Sequence, residues 1–174
     1  MSDFTEFFKV NSEQAMRFFF NSLKDENLPG NVATIEVVYV ASVLANYTQT
    51  SRYDSAVSTP ATLSEVFDMF VLHGFSGQQS LGLIDAEDLE IAGSQTLLLA
   101  GFFRDQMRKR HNVEWYDQLG QSFYSRASNS SKGKKKEVLH LIASHFPIWI
   151  ITCNNMSRTF RDRPYLLNPG KVVN

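Results

Sequence analysis

The chain has little of what usually announces chemistry. A single cysteine, Cys153, excludes an internal disulfide and suits a reducing compartment. No apolar run approaches the roughly 20 residues a membrane helix needs. The longest apolar-rich stretch, Ile35 to Tyr47, is interrupted by Glu36, Ser42 and Asn46. Acidic and basic side chains nearly cancel, to a net charge of -1, so there is no global pull toward nucleic acid or acidic lipid. The first residues, Met-Ser-Asp-Phe-Thr-Glu, are acidic where a secretory leader would be basic. No internal repeat and no second-domain linker is visible. These shortages lead to the expectation of one soluble, cytoplasmic domain over residues 1–174, without a membrane partner.

Motifs for catalysis are equally scarce. There is no Gly-x-Ser-x-Gly, no phosphate-cradling glycine loop and no cysteine pair at metal spacing. Glu137-Val-Leu-His140 has the Glu-x-x-His spacing of di-iron bundles, but such a site takes a second copy, which this sequence lacks. Asp85, Glu87, Asp88 and Glu90 suit a helix start, where the dipole favours negative charge, better than a cation loop. His73 and His111 fit helix C-termini. No metal, no cofactor and no catalytic residue is expected, and the reading leans away from an enzyme.

What the chain does have is phenylalanine, 14 residues of it, in segments with helical periodicity. Met16, Phe19, Phe20 and Leu23 stripe a helix over 12–28, which Leu28-Pro29-Gly30-Asn31 ends. Residues 32–50 begin with β-formers, Ile35 to Val40, yet the apolar run is too long for a strand and reads as a mostly buried helix. Thr59-Pro60 opens another, with Leu63, Val66, Phe67, Phe70 and Val71 inward. The central element is expected over roughly 85–103, because Leu97 to Phe103 is apolar at every angle. Tyr116, Gly120, Phe123, Tyr124 and Ala127 share a face of a helix over 114–127. A polar loop over 128–136 leads to a helix from Glu137, which Pro147 must kink or end. Ile148 to Cys153 reads as a further short helix, and 158–174 as an extended tail. The fold class is therefore all-α, a compact single-domain bundle of six to eight helices around one buried helix. Gly93, Gly101 and Gly120 would allow helices to cross closely.

Residues 89–127 carry a pattern that resembles one in small, uncharacterised all-helical bacterial proteins. The matching residues are Gly93, Leu97, Ala100-Gly101-Phe102-Phe103, Arg108 to Arg110, Trp115-Tyr116, Gly120 and Tyr124. Ser94, Arg104 and Trp115 depart from it. The resemblance implies an all-α fold and a bacterial source, and no activity.

Three functional expectations follow. The first is a non-catalytic protein acting by protein–protein contact or self-association, since excess aromatics suit interfaces. The second is a small apolar ligand held between helices by Phe102, Phe103, Tyr116 and Phe123. The third, and least favoured, is contact with nucleic acid. Its candidates are a basic patch of Arg104, Arg108, Lys109 and Arg110 and two further groups, Lys132 to Lys136 and Arg158 to Arg163. They would have to converge on one face, with Trp115 or Tyr116 as the stacking candidate.

Overall fold

Apolar residues at helical spacing account for each element of the structure, a computed structural model that describes residues 12–53, 86–109 and 112–162. Helix α1 spans Ser12–Asp25 and α2 spans Thr34–Tyr53. Helix α3, Ala86–Leu97, runs into a π-helical turn, Leu98–Phe102, and then into the short α4, Arg104–Met107. Helices α5 (Val113–Asn129), α6 (Gly133–Ser144) and α7 (Phe146–Asp162) complete the described chain. Among the described residues the fold is all-α, with no strand. The helix expected from Thr59, the tail from residue 163 onward, and His73, Arg110 and His111 lie outside the described residues.

The ambiguous segment resolves cleanly. In α2, Val37, Val40, Ala41, Leu44 and Ala45 are buried, so inward positions recur every three to four residues while Ile35 and Val38 point outward. Its β-branched residues are shared between two faces of a helix, which a strand of the same composition would have alternated. α1 lies along α2 through Ala15, Phe19 and Leu23, α3 and α6 flank α5, and α7 lies against the π turn.

Helix α1 stops at Asp25 rather than at 28, α2 and α5 are displaced by one to three residues at their ends, and the larger differences from expectation lie in α6 and α7. α6 begins at Gly133 rather than Glu137, because Gly133 takes a left-handed φ of 63° and lets the chain turn at once into helix. Ser131 Oγ closes that turn on Ala127 O at 2.7 Å, so the expected loop over 128–136 shrinks to three residues, 130–132. Pro147 does separate two helices. It sits in the first turn of α7, where its missing N–H leaves no hydrogen bond unmade, so the segment after it is a 17-residue helix. That helix reaches Asp162, five residues into the stretch expected to be an extended tail.

The core is built on close approaches at glycine. A Cβ at Gly93 would lie 3.1 Å from the Tyr124 ring, and one at Gly101 would lie 3.0 Å from Cys153 Cβ on α7. At Gly120 it would fall 2.3 Å from Phe146 Cζ and 2.9 Å from Thr96 Cγ2. Trp149, Tyr124 and Phe146 are fully buried beside these contacts. Gly120→Ala is therefore expected to destabilise the protein by about 1–3 kcal/mol, the range typical of overpacking. Gly30→Ala, with nothing within 4 Å of its added Cβ, should leave the urea midpoint nearly unchanged. Equal shifts in the two variants would show that the Phe146–Gly120 contact is not tight.

Candidate functional site

The most concentrated polar chemistry in the molecule surrounds a buried acid that sequence reasoning did not single out. Glu36 lies in the first turn of α2 and is fully buried. Its Oε2 accepts the backbone N–H of Ala33 at 2.8 Å, half of a capping box whose cap residue, alanine, cannot reciprocate. Its Oε1 faces His145 Nδ1 at 2.8 Å and accepts from Trp149 Nε1 at 3.2 Å. His145 stands in the joint between α6 and α7, and its Nε2 faces Asn31 Nδ2 at 3.4 Å. One carboxylate thus ties the start of α2 to the α6–α7 corner. A buried carboxylate is tolerated only with such partners.

A second network begins one turn later on α2. Tyr39 Oη donates to Glu90 Oε1 at 2.9 Å, and Lys135 Nζ meets Glu90 Oε2 at 2.7 Å. Ser94 Oγ and Tyr124 Oη are 3.0 Å apart, and the Tyr39 and Tyr124 rings meet edge to face with centroids 6.0 Å apart. Burial raises both phenols far above the ordinary tyrosine range, so Tyr39 stays protonated and keeps donating to Glu90. Glu90 in turn raises the Lys135 ammonium, chiefly through their hydrogen bond.

Among the described residues the expected ligand-binding residues make contacts with other rings and with the core. Phe102 and Phe103 meet edge to face at 5.0 Å. Phe102 also meets Phe160 at 6.3 Å, and Phe103 meets Tyr47 at 5.5 Å. Tyr116 packs its ring against Trp115 at 5.1 Å, and Phe123 is buried in the core. A shallow cleft of about 360 Å³ opens elsewhere, between α5 and α6. Gln118, Gln121, Ser122, Ser125, His140, Ala143 and Ser144 line it, a mixed set of amides, hydroxyls, one imidazole and one methyl group. Among the described residues no group of three His, Cys, Asp or Glu side chains is gathered as metal ligands.

The expected basic patch is divided. Arg104 turns inward, 9% exposed, making a two-pronged bond to Asp117 at 2.9 and 3.1 Å and donating to Ala100 O at 2.8 Å. A basic residue next to a π turn is drawn in this way, since the slip leaves a carbonyl for a side chain to satisfy. Arg108 and Lys109 are exposed. Asp105, beside Arg104, binds Arg158 at 2.9 Å and also binds Arg161. Those hydrogen bonds hold its carboxyl well below the usual carboxylate range. Lys132 to Lys136 belong to the other end of the helix system, where Lys135 meets Glu90. No family model, curated protein or solved structure matches the chain.

Two outcomes check this description. Glu36→Ala strands the donors of Ala33, His145 and Trp149, and should lower unfolding free energy by about 2–4 kcal/mol in urea titrations. A loss no larger than that of an exposed substitution would show the carboxylate to be solvated. Cys153 is buried and its thiol is pushed up to about 12, first by desolvation and then by the charge of Glu26. It should resist an aromatic disulfide reagent at mildly alkaline pH until urea unfolds the chain, because the thiolate is the reactive form. Rapid labelling of the folded protein would contradict its placement.

Proposed function

We propose that this protein works by binding another protein rather than by catalysing a reaction, and that α2 and α3 present the contact face. The observation that supports this is a set of large apolar side chains on the outside of those two helices. Ile35, Val38 and Ile91 are 45%, 37% and 47% exposed. Ile35 and Val38 are three apart and therefore share a face of α2. Ile91 follows Glu90, which accepts from Tyr39 at 2.9 Å, so α2 and α3 are linked next to the residues that carry these exposed side chains. Apolar groups around a desolvatable polar contact match the make-up of protein interfaces. The polar networks favour the same reading: their strongest donors and acceptors are spent on one another inside the fold.

No helix among the described residues is long and apolar enough to cross a membrane. We place the protein in the cytoplasm of a bacterium, where a buried thiol such as Cys153 stays reduced. A second copy of the chain is the partner tested most simply. Sedimentation over a concentration series should show reversible association that Ile35→Asp with Ile91→Asp abolishes, at an unchanged melting temperature. A strict monomer throughout the series would remove self-association, and association unaffected by the double variant would remove this face.

A further inference from the structure

The helix pair α5 and α6 leaves a cleft with no charged side chain in its lining. Gln118, Gln121, Ser122 and Ser125 stand at positions i, i+3, i+4 and i+7 of α5 and so form one face of it. His140 and Ser144, four residues apart on α6, form the facing wall, to which the buried Ala143 adds a methyl group. The left-handed Gly133 turns the chain straight back after α5, which holds the two walls side by side. The space between them is about 360 Å³, near the lower end of the range for ligand clefts. Elsewhere the polar groups of the fold are matched to one another: Glu36 with three donors, Asp117 with Arg104, Asp105 with two arginines. Here they are unspent. Among the described residues the side chains of Gln118, Gln121, Ser122 and Ser125 have no hydrogen-bond partner. Ser144 Oγ donates to His140 O at 2.9 Å, which keeps its lone pairs for a ligand.

We infer that this cleft binds a neutral sugar of one or two rings. Each glutamine amide offers N–H donors and a carbonyl acceptor, and a serine hydroxyl offers both functions on one atom. An imidazole, when neutral, likewise carries one donor and one acceptor. Such a lining is matched by a ligand whose own groups both donate and accept, which is the property of a polyol. A phosphate or carboxylate would use only the donors and an ammonium only the acceptors. Neither would find an opposite charge in the lining to offset its lost water. An apolar molecule would leave every one of these groups unpaired, so the apolar ligand expected from the sequence does not suit this cleft. Gln118 to Ser125 spans roughly 10 Å along α5 at 1.5 Å per residue, which is room for two rings end to end. The cleft belongs to α5 and α6 and the proposed contact face to α2 and α3, so the two functions can be tested separately.

The test is isothermal titration of the full chain with glucose, trehalose and maltose, with a melting curve for each variant. At least one of the three should bind saturably, with a dissociation constant on the order of 1 mM, as about four net hydrogen bonds in an open cleft would give. Gln121→Ala with Ser125→Ala removes an amide and a hydroxyl from exposed positions of α5, where alanine suits the helix. It should weaken binding by about tenfold without lowering the melting temperature. Ile35→Asp with Ile91→Asp should leave sugar binding as it was, and a loss in that variant would put the ligand on the other face. Failure of all three sugars to bind would overturn the assignment, as would equal binding by the Gln121/Ser125 variant. Tighter binding of glucose 6-phosphate than of glucose would refute a neutral ligand. Binding of a blocked neutral tripeptide in place of the sugars would make the cleft a peptide groove instead.

Discussion

A charge that cannot reach water has to be surrounded, and Glu36 is the clearest case in this molecule. Its carboxylate collects three donors from two regions far apart in the chain: the residue just before α2, and the α6–α7 corner, which supplies His145 and the indole of Trp149. The helices around it cannot shift independently without leaving one of those donors, or the acid itself, unpaired in a dry environment. Hydrophobic burial would accept several packings of α2 on α6 and α7. The carboxylate accepts few, which makes it a register device in the sense that buried polar groups sometimes are.

The second constraint is steric and works without charge. Gly93 and Gly120 each receive a ring from another element, Tyr124 and Phe146, and Gly101 receives the Cys153 Cβ and the backbone of Ile150. Tyr124 lies over Gly93 and against Phe146, which lies over Gly120. Gly93 and Gly120 let rings occupy space that side chains on α3 and α5 would otherwise fill, and Gly101 lets the π turn approach the backbone of α7. Each weakens its own helix by about 1 kcal/mol relative to alanine, a cost that tertiary contact has to offset. The same approach brings Tyr39 near Tyr124, and so places the Tyr39–Glu90–Lys135 chain where three helices can share it.

Much of the fold was legible because periodicity is a local property. The buried faces of α1 and α5 follow from the spacing of Phe19 with Leu23 and of Gly120, Phe123, Tyr124 and Ala127, and the close-approach glycines were visible as interruptions in apolar stripes. Helix ends were less legible where one residue's conformation decides them, as the left-handed Gly133 does for α6. The polar sites were hardly legible at all. Glu36 reads as an interruption in an apolar run, and nothing local to His145 marks it as a partner of Glu36. Their partners lie more than a hundred positions away in sequence, and no local pattern encodes that distance. Arg104 is a different case: its partner is near in sequence, yet four basic residues in seven read as one patch until Asp117 claims the first.

The π turn at Leu98–Phe102 has a consequence for how α4 is aimed. Phe103 N donates to Leu98 O, five residues back, where an α-helix would reach four. The turn therefore holds one residue more than regular geometry would, and each helical residue advances the azimuth by about 100°. Everything beyond Phe103 is rotated by that one residue relative to α3. The rotation carries Arg104 under α5 to Asp117 and swings Asp105 toward the end of α7. A chain shortened by one position here could keep every apolar residue of its core, yet it would present the neighbouring side of α4 to each partner. The surplus residue is thus an indexing step, and it decides which of two adjacent, oppositely charged side chains meets which helix.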